Sequence, residues 1–291
     1  ASVPDAEIDA YIEEFNANFT PAAEAEEETG PADQFIEAGG RRRRYARQGE
    51  GGATVLLIHG FGGDLDNWLF NIQALAEHHT VYALDLPGHG QSDKTVDEPS
   101  LAGLAASVQA FMDAVGIDRA HLVGHSLGGA VALQLARERP ESVESLALIG
   151  SAGLGPEINR GYIDGFVAAN SRRELKPHAR QLFADPGLVT RQLLEDLLKF
   201  KRLDGVDRAL RSLAEGLFDG ERQRERSGEG FDPGGRPLLV VWGREDAIIP
   251  AAHAEHAPAG ARVEIIDSAG HMVQMEAANR VNALLLEHLG R

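Results

Sequence analysis

From residue 54 onward the chain alternates short, near-continuous apolar runs with longer stretches whose apolar residues recur every three or four positions. TVLLIHG (54–60), TVYALDL (80–86), AHLVGHS (120–126), SLALIGSAG (145–153), PLLVVWGRED (237–246) and ARVEIIDSAG (261–270) read as strands. WLFNIQALAEHH (68–79), LAGLAASVQAFMDAVGI (101–117) and GGAVALQLARERPESV (128–143) carry helical spacing. The alternation predicts an α/β fold with a mostly parallel sheet covered on both faces. Between about 154 and 235 the rhythm changes. Helical spacing dominates, as in RQLLEDLLKF (191–200) and VDRALRSLAEGLF (206–218), and no strand is expected. This segment is read as an inserted helical cap packing on itself, between core parts at 34–153 and 236–291.

The first 33 residues differ in kind, with ten acidic side chains and no Lys or Arg. PDAEIDAYIEEF (4–15) can place Ile8, Tyr11, Ile12 and Phe15 on one helical face, and TPAAEAEEETGPADQ (20–34) has the composition of a solvated linker. Residues 1–33 are therefore expected to be an acidic tail or a tether. Gly39-Gly40 then joins two strand-like runs as a hairpin, whose RRRR (41–44) is read as a solvated edge.

The charge balance narrows the partners. A formal net charge of −17 over 291 residues argues against nucleic acid. The chain has no cysteine, which excludes disulfides and thiolate metal sites, and no metal site is otherwise expected. No apolar stretch approaches the roughly 20 residues that span a bilayer, and the acidic start does not resemble a secretory signal. The expectation is a cytoplasmic protein that binds no membrane.

Chemistry concentrates where strands end. Gly124-His125-Ser126-Leu127-Gly128 matches G-x-S-x-G between a strand and a helix, where a tight turn exposes a serine hydroxyl as nucleophile. That hydroxyl needs a base, and the base needs an orienting carboxylate. His253 and His256 fall in a surface segment and His288 in the terminal helix, so His271, after the last strand, is the expected base. Asp246 in GREDAIIP is the expected acid, with Glu245 second and Asp267, near its own strand, third. Backbone N–H groups of Leu127 and of Phe61 in HGFGG (59–63) are the expected oxyanion donors. His59 is read as structural, and HGFGG lacks the Lys-Ser/Thr of a phosphate loop. Trp68, Phe166 and Met272 are candidates for the pocket wall, each with core packing as the alternative.

Taken together, HGFGGDLDNW, DLPGHGQSDK, GHSLGG, WGREDAIIP and AGHMVQME resemble the α/β-hydrolase superfamily over about residues 34–291. The resemblance implies the α/β-hydrolase fold and the same roles for Ser126, Asp246, His271, Phe61 and Leu127. More narrowly, HGFGGDLDNWLFN with ASVPDAEIDAYIEEF resembles the hydrolase-fold dihydrolipoamide acetyltransferase subunits of acetoin dehydrogenase complexes. In those chains a lipoyl domain precedes the hydrolase domain, and Ala1 reads like the residues just after one. Asp93-Lys94 lies in the PGHGQSDK loop and is not read as a lipoylation site. The His-x-x-x-Asp-Gly motif of the usual lipoyl-complex acetyltransferases is missing. The resemblance thus implies serine-based acyl transfer from acetyl-dihydrolipoamide to coenzyme A, with complex partners reached through the N-terminal linker. Water as acceptor, giving an esterase, thioesterase or C–C bond hydrolase, is the first alternative. A non-catalytic docking module is the second.

Overall fold

The computed structural model describes residues 33–290; the tail and helix readings over residues 1–32 lie outside them. Strands β1 (Gln34–Ala38), β2 (Arg41–Gln48), β3 (Thr54–Ile58), β4 (Thr80–Leu84), β5 (Ala120–His125), β6 (Val143–Ile149), β9 (Leu238–Gly243) and β10 (Arg262–Ile266) form one sheet. Its order is β1-β2-β4-β3-β5-β6-β9-β10. β1 and β2 pair antiparallel, as do β2 and β4, and all other neighbours are parallel. Both hairpin glycines take positive φ, 58° at Gly39 and 71° at Gly40, as a two-residue turn of this hand requires.

Alternation along each strand divides the core into two layers. Val55, Leu57, Val123, Ile149 and Val241 face Trp68, Ile72, Leu75, Val281 and Leu285, from helices Leu69–Ala76 and Ala278–His288 and the turn before them. Leu56, Ile58, Leu122, Leu148 and Val240 face Leu104, Val108, Phe111, Val131 and Leu135, from helices Leu101–Val115 and Leu127–Glu138. Trp68 is fully buried in the first layer and does not reach the pocket.

Between β6 and β9 stand helices Arg160–Ala168, Arg172–Ala179, Arg191–Lys201 and Val206–Leu217. Asn159, Ser171 and Thr190 cap the first three with side-chain oxygens. The segment is not strand-free. Phe218–Asp219 (β7) and Arg222–Gln223 (β8) form a two-residue antiparallel pair, too short to leave a periodic signal.

The arginine run corrects the solvated-edge reading. β2 lies inside the sheet, so half of its side chains point into protein. Arg41 pairs with exposed Asp97 and Arg42 lies over the Phe35 ring, but Arg43 and Arg44 are buried. Arg44 contacts Asp33 at 2.7 Å and Asp66 and Asp85 at 3.4 Å. Burial opposes its charge, but Asp85, Asp33 and Asp66 outweigh burial and hold the guanidinium above its ordinary value. Asp85 is fully buried and also accepts from Leu65 N and Gln91 N, which fixes the loops after β3 and β4. Arg44→Leu is expected to cost about 3–5 kcal/mol in urea denaturation, because the Asp85 charge stays buried without this partner. Arg41→Leu is expected to cost no more than about 1 kcal/mol.

Candidate active site

Four loops leaving the C-terminal ends of β3, β5, β9 and β10 converge under the cap, the usual place for ligand in such sheets. Ser126 occupies the one-residue step between β5 and the following helix, with φ 54° and ψ −118°. This is a strained conformation for a residue with a side chain. It persists because the surroundings fix it. Ser126 N donates to Ile149 O at 2.9 Å, and Ser126 O accepts from Gly129 N and Ala152 N, both at 3.0 Å. Strand and helix meet so closely that a Cβ at Gly124 would lie 2.4 Å from Gly128 O, and one at Gly128 2.1 Å from Ile58 O. The two outer glycines of G-x-S-x-G are therefore steric necessities.

His271 and Asp246 arrive on the neighbouring loops. His271 Nδ1 lies 2.8 Å from Asp246 Oδ2, with both side chains buried. Every other contact of this carboxylate is also with a donor. Trp242 Nε1 reaches Oδ2 at 3.0 Å, and Ile248 N and Ile249 N reach Oδ1 at 2.8 and 2.9 Å. A carboxylate surrounded by donors is an ionised acceptor, so His271 carries its proton on Nδ1 and leaves Nε2 as the basic nitrogen. Ser126 and His271 line the same cavity.

The other carboxylates and histidines lie elsewhere. Glu245 turns back to accept Ala269 N at 3.1 Å, and Asp267 pairs with Arg244 at the surface. His253 is buried rather than on the surface, with Nε2 2.6 Å from Glu157; its neighbour His256 is exposed. His288 is pressed by burial to a pKa of about 4.

Neither Phe61 N–H nor Leu127 N–H donates a hydrogen bond to any described residue. The loop that presents Phe61 is held on both sides by neutral imidazoles. His59 Nε2 accepts from Leu86 N at 3.0 Å, so its Nδ1–H donates to Gly60 O at 2.7 Å. His89 Nε2 accepts from Gly62 N at 3.0 Å, and its Nδ1–H donates to Pro87 O. Burial lowers their pKa values to about 4 and about 3. Both values lie below that of the unfolded chain, so these histidines stabilise the fold fully above about pH 6.5 and progressively less as pH falls toward 4. At pH 5 each is expected to forfeit about 2 kcal/mol relative to pH 7.5, read as a lower urea midpoint.

Several contributors escaped the sequence reading. His89, Trp242 and His125 stood in motifs but gave no sign of their targets. His125 Nε2–H donates to His271 O at 2.9 Å, tying the serine's neighbour to the histidine loop. Glu276 accepts from Gly270 N at 2.6 Å and Ala184 N at 2.8 Å, which joins the cap to that loop.

Above Ser126 the cavity is apolar. Ile158, Ile163 and Phe166 come from the cap and its approach, and Met272 from the histidine loop. No Lys, Arg, Asp or Glu lines it among the described residues. No helix among them is long and apolar enough to cross a membrane.

Residues 53–278 match the family profile described as alpha/beta hydrolase fold. The chain belongs to this family. It is 56% identical, over its whole length and 77% of the relative's, to a protein of Cupriavidus necator named dihydrolipoyllysine-residue acetyltransferase component of acetoin cleaving system. A Pseudomonas putida protein of the same name is 54% identical over 98% of this chain and 76% of its own. Among solved structures, the 2-hydroxy-6-oxo-6-phenylhexa-2,4-dienoate hydrolase of Rhodococcus superposes with a TM-score of 0.77 at 25% identity, covering 90% of this chain and 99% of that one.

Proposed function

We propose that this α/β-hydrolase-family enzyme transfers acyl groups through Ser126, taking an acetyl group from a dihydrolipoamide thioester and delivering it to coenzyme A. The reading rests chiefly on one observation. His271, its Nδ1 2.8 Å from the Asp246 carboxylate, lines the same cavity as a serine held on a strained strand-to-helix step.

Ser126 Oγ attacks the thioester carbonyl while His271 Nε2 takes its proton. The oxyanion accepts from Phe61 N–H and Leu127 N–H, each such donor being worth about 3 kcal/mol in the transition state. The C–S bond breaks, and the departing thiolate takes the proton from His271. Coenzyme A then gives its thiol proton to His271 and attacks the acyl-serine carbonyl. The ester C–O bond breaks and Ser126 recovers the proton. No metal or other cofactor enters these steps.

Donor and acceptor are inferred from the names of the two relatives and from the cavity. The names of those relatives also suggest a place among the subunits of a multienzyme complex. A carboxylate buried in an apolar, cation-free cavity would be costly. That disfavours the dienoate substrates in the name of the Rhodococcus hydrolase and favours an uncharged acetyl group on an apolar arm. The phosphates of coenzyme A would remain outside, with only the thiol arm entering.

Water as acceptor is the second reading, supported by the structural likeness to a hydrolase. Incubating purified protein with acetyl-dihydrolipoamide and coenzyme A separates the two. Acetyl-coenzyme A is the expected product; acetate alone would overturn the transferase reading and leave the serine chemistry standing.

A further inference from the structure

The cavity wall carries a hydroxyl with no partner among the described residues. Tyr162 stands in the first cap helix, is 4% exposed and lines the cavity, yet its oxygen makes no hydrogen bond to any described residue. Its position is fixed. The ring stacks on Phe166 at 5.9 Å between centroids, and its backbone N–H is capped by Asn159. Asn159 is in turn fastened to the acid loop by its N–H to Ile248 O and its Nδ2 to Ala247 O, both 2.8 Å. Burial raises the phenol further from ionisation, so it remains an O–H donor throughout the working range. A phenylalanine would fill the same space without placing an unpaired polar group on the cavity wall. Asn67, in the turn Leu65–Trp68 and three residues beyond its capping Asp64, lines the same cavity, and its carboxamide also makes no hydrogen bond to a described residue. Since no charged side chain of the described residues lines the cavity, the group these donors fit is neutral.

We propose that the Tyr162 hydroxyl, assisted by the Asn67 carboxamide, recognises a neutral substrate oxygen other than that of the scissile carbonyl. Such an oxygen belongs either to the acyl chain, as a second carbonyl or a hydroxyl, or to the thiol arm, as an amide. Ser126, the oxyanion donors and His271 act on the reacting carbonyl; Tyr162 selects what is attached to it. The inference deepens the acyl-transfer reading and rests on it for the bond broken, but not for the binding.

Two matched pairs distinguish the sources. Acetoacetyl against butyryl esters of one phenol vary the acyl chain. Dihydrolipoamide acetyl thioester against that of the same dithiol lacking the amide varies the arm. The wild-type protein is expected to favour the oxygen-bearing member of one pair in kcat/KM. Tyr162→Phe should shrink that ratio about tenfold, the size of one neutral hydrogen bond. The pair that responds identifies the source. A purely structural role would lower both members together and leave the ratios unchanged, which would overturn the proposal. Binding is read separately in Ser126→Ala, with and without Tyr162→Phe, by calorimetry with the acetoacetyl and butyryl phenyl esters and with dihydrolipoamide and the amide-free dithiol. A selective tenfold loss for one oxygen-bearing probe is expected even if no thioester is turned over. Equal or absent losses in both pairs would overturn the proposal, whatever the fate of the acyl-transfer reading.

Discussion

Ser126→Ala is expected to lower turnover of a small aryl ester by about 10⁶-fold and to abolish labelling by a fluorophosphonate. The size of the effect follows from what is removed. In the proposed mechanism His271 and Asp246 have no nucleophile to activate once Oγ is gone, so the three side chains fail as a unit. Under the same mechanism, what persists is the weaker assistance of the binding cavity and of the proposed oxyanion donors, the Phe61 and Leu127 N–H groups. The fold should survive, because the elbow is held by backbone bonds: Ser126 N to Ile149 O, and Ser126 O to Gly129 N and Ala152 N. Ser126→Gly separates catalysis from strain. It should be as inactive as the alanine variant, yet more stable by about 1 kcal/mol or more in urea, because φ 54° with ψ −118° is unfavourable for any residue with a Cβ. A serine variant that retained aryl-ester turnover would remove Ser126 from the chemistry.

Asp246→Asn is expected to reduce kcat by about 10⁴-fold, close to 5.5 kcal/mol of transition-state stabilisation. Oδ2 now accepts from both Trp242 Nε1 and His271 Nδ1. A carboxamide NH₂ on that side faces two donors. The surroundings then favour the His271 tautomer with a bare Nδ1 and a protonated Nε2, which cannot take the serine proton. Placing the carboxamide oxygen there instead turns the NH₂ toward Ile248 N and Ile249 N, both donors as well. Some loss of stability accompanies either arrangement. The informative comparison is with Glu245→Gln and Asp267→Asn, which should leave kcat within a few-fold of wild type, because one carboxylate bonds Ala269 N and the other pairs with Arg244 at the surface. An unaffected Asp246→Asn enzyme would transfer the orienting role away from Asp246.

The candidate site was legible wherever the chemistry is local. The serine turn compresses strand, nucleophile and helix into five residues, and its glycines are required by contacts a few residues away or with the adjacent strand. His271 could be chosen among four histidines because a strand end is visible as a break in an apolar run. The sequence ranked Asp246 first among three carboxylates, but its separation from Glu245 depends on which way two adjacent side chains turn, and that is decided by Trp242, Ile248 and Ile249. The arginine run was misread because an isolated hairpin offers an edge to solvent. Only the pairing of β2 with β4 places Arg44 among Asp33, Asp66 and Asp85.

Period, punctuation and short-range sterics therefore determined much: a parallel sheet clothed by helices, a helical segment between its sixth strand and its next, and a serine at the mouth of the fifth. Tertiary structure decided what sequence separation conceals. It buried His253, sent Trp68 to the layer away from the pocket, set His59 and His89 on either side of the Phe61 loop, and left the side chains of Tyr162 and Asn67 without hydrogen-bond partners among the described residues, in a cavity that none of their charged side chains lines. The physical reason is the range of the interactions. Alternation and glycine contacts act within a few residues and are written in the local sequence, whereas a buried hydrogen bond is satisfied or left open by groups up to some two hundred positions away, such as Asn71 with Asn282.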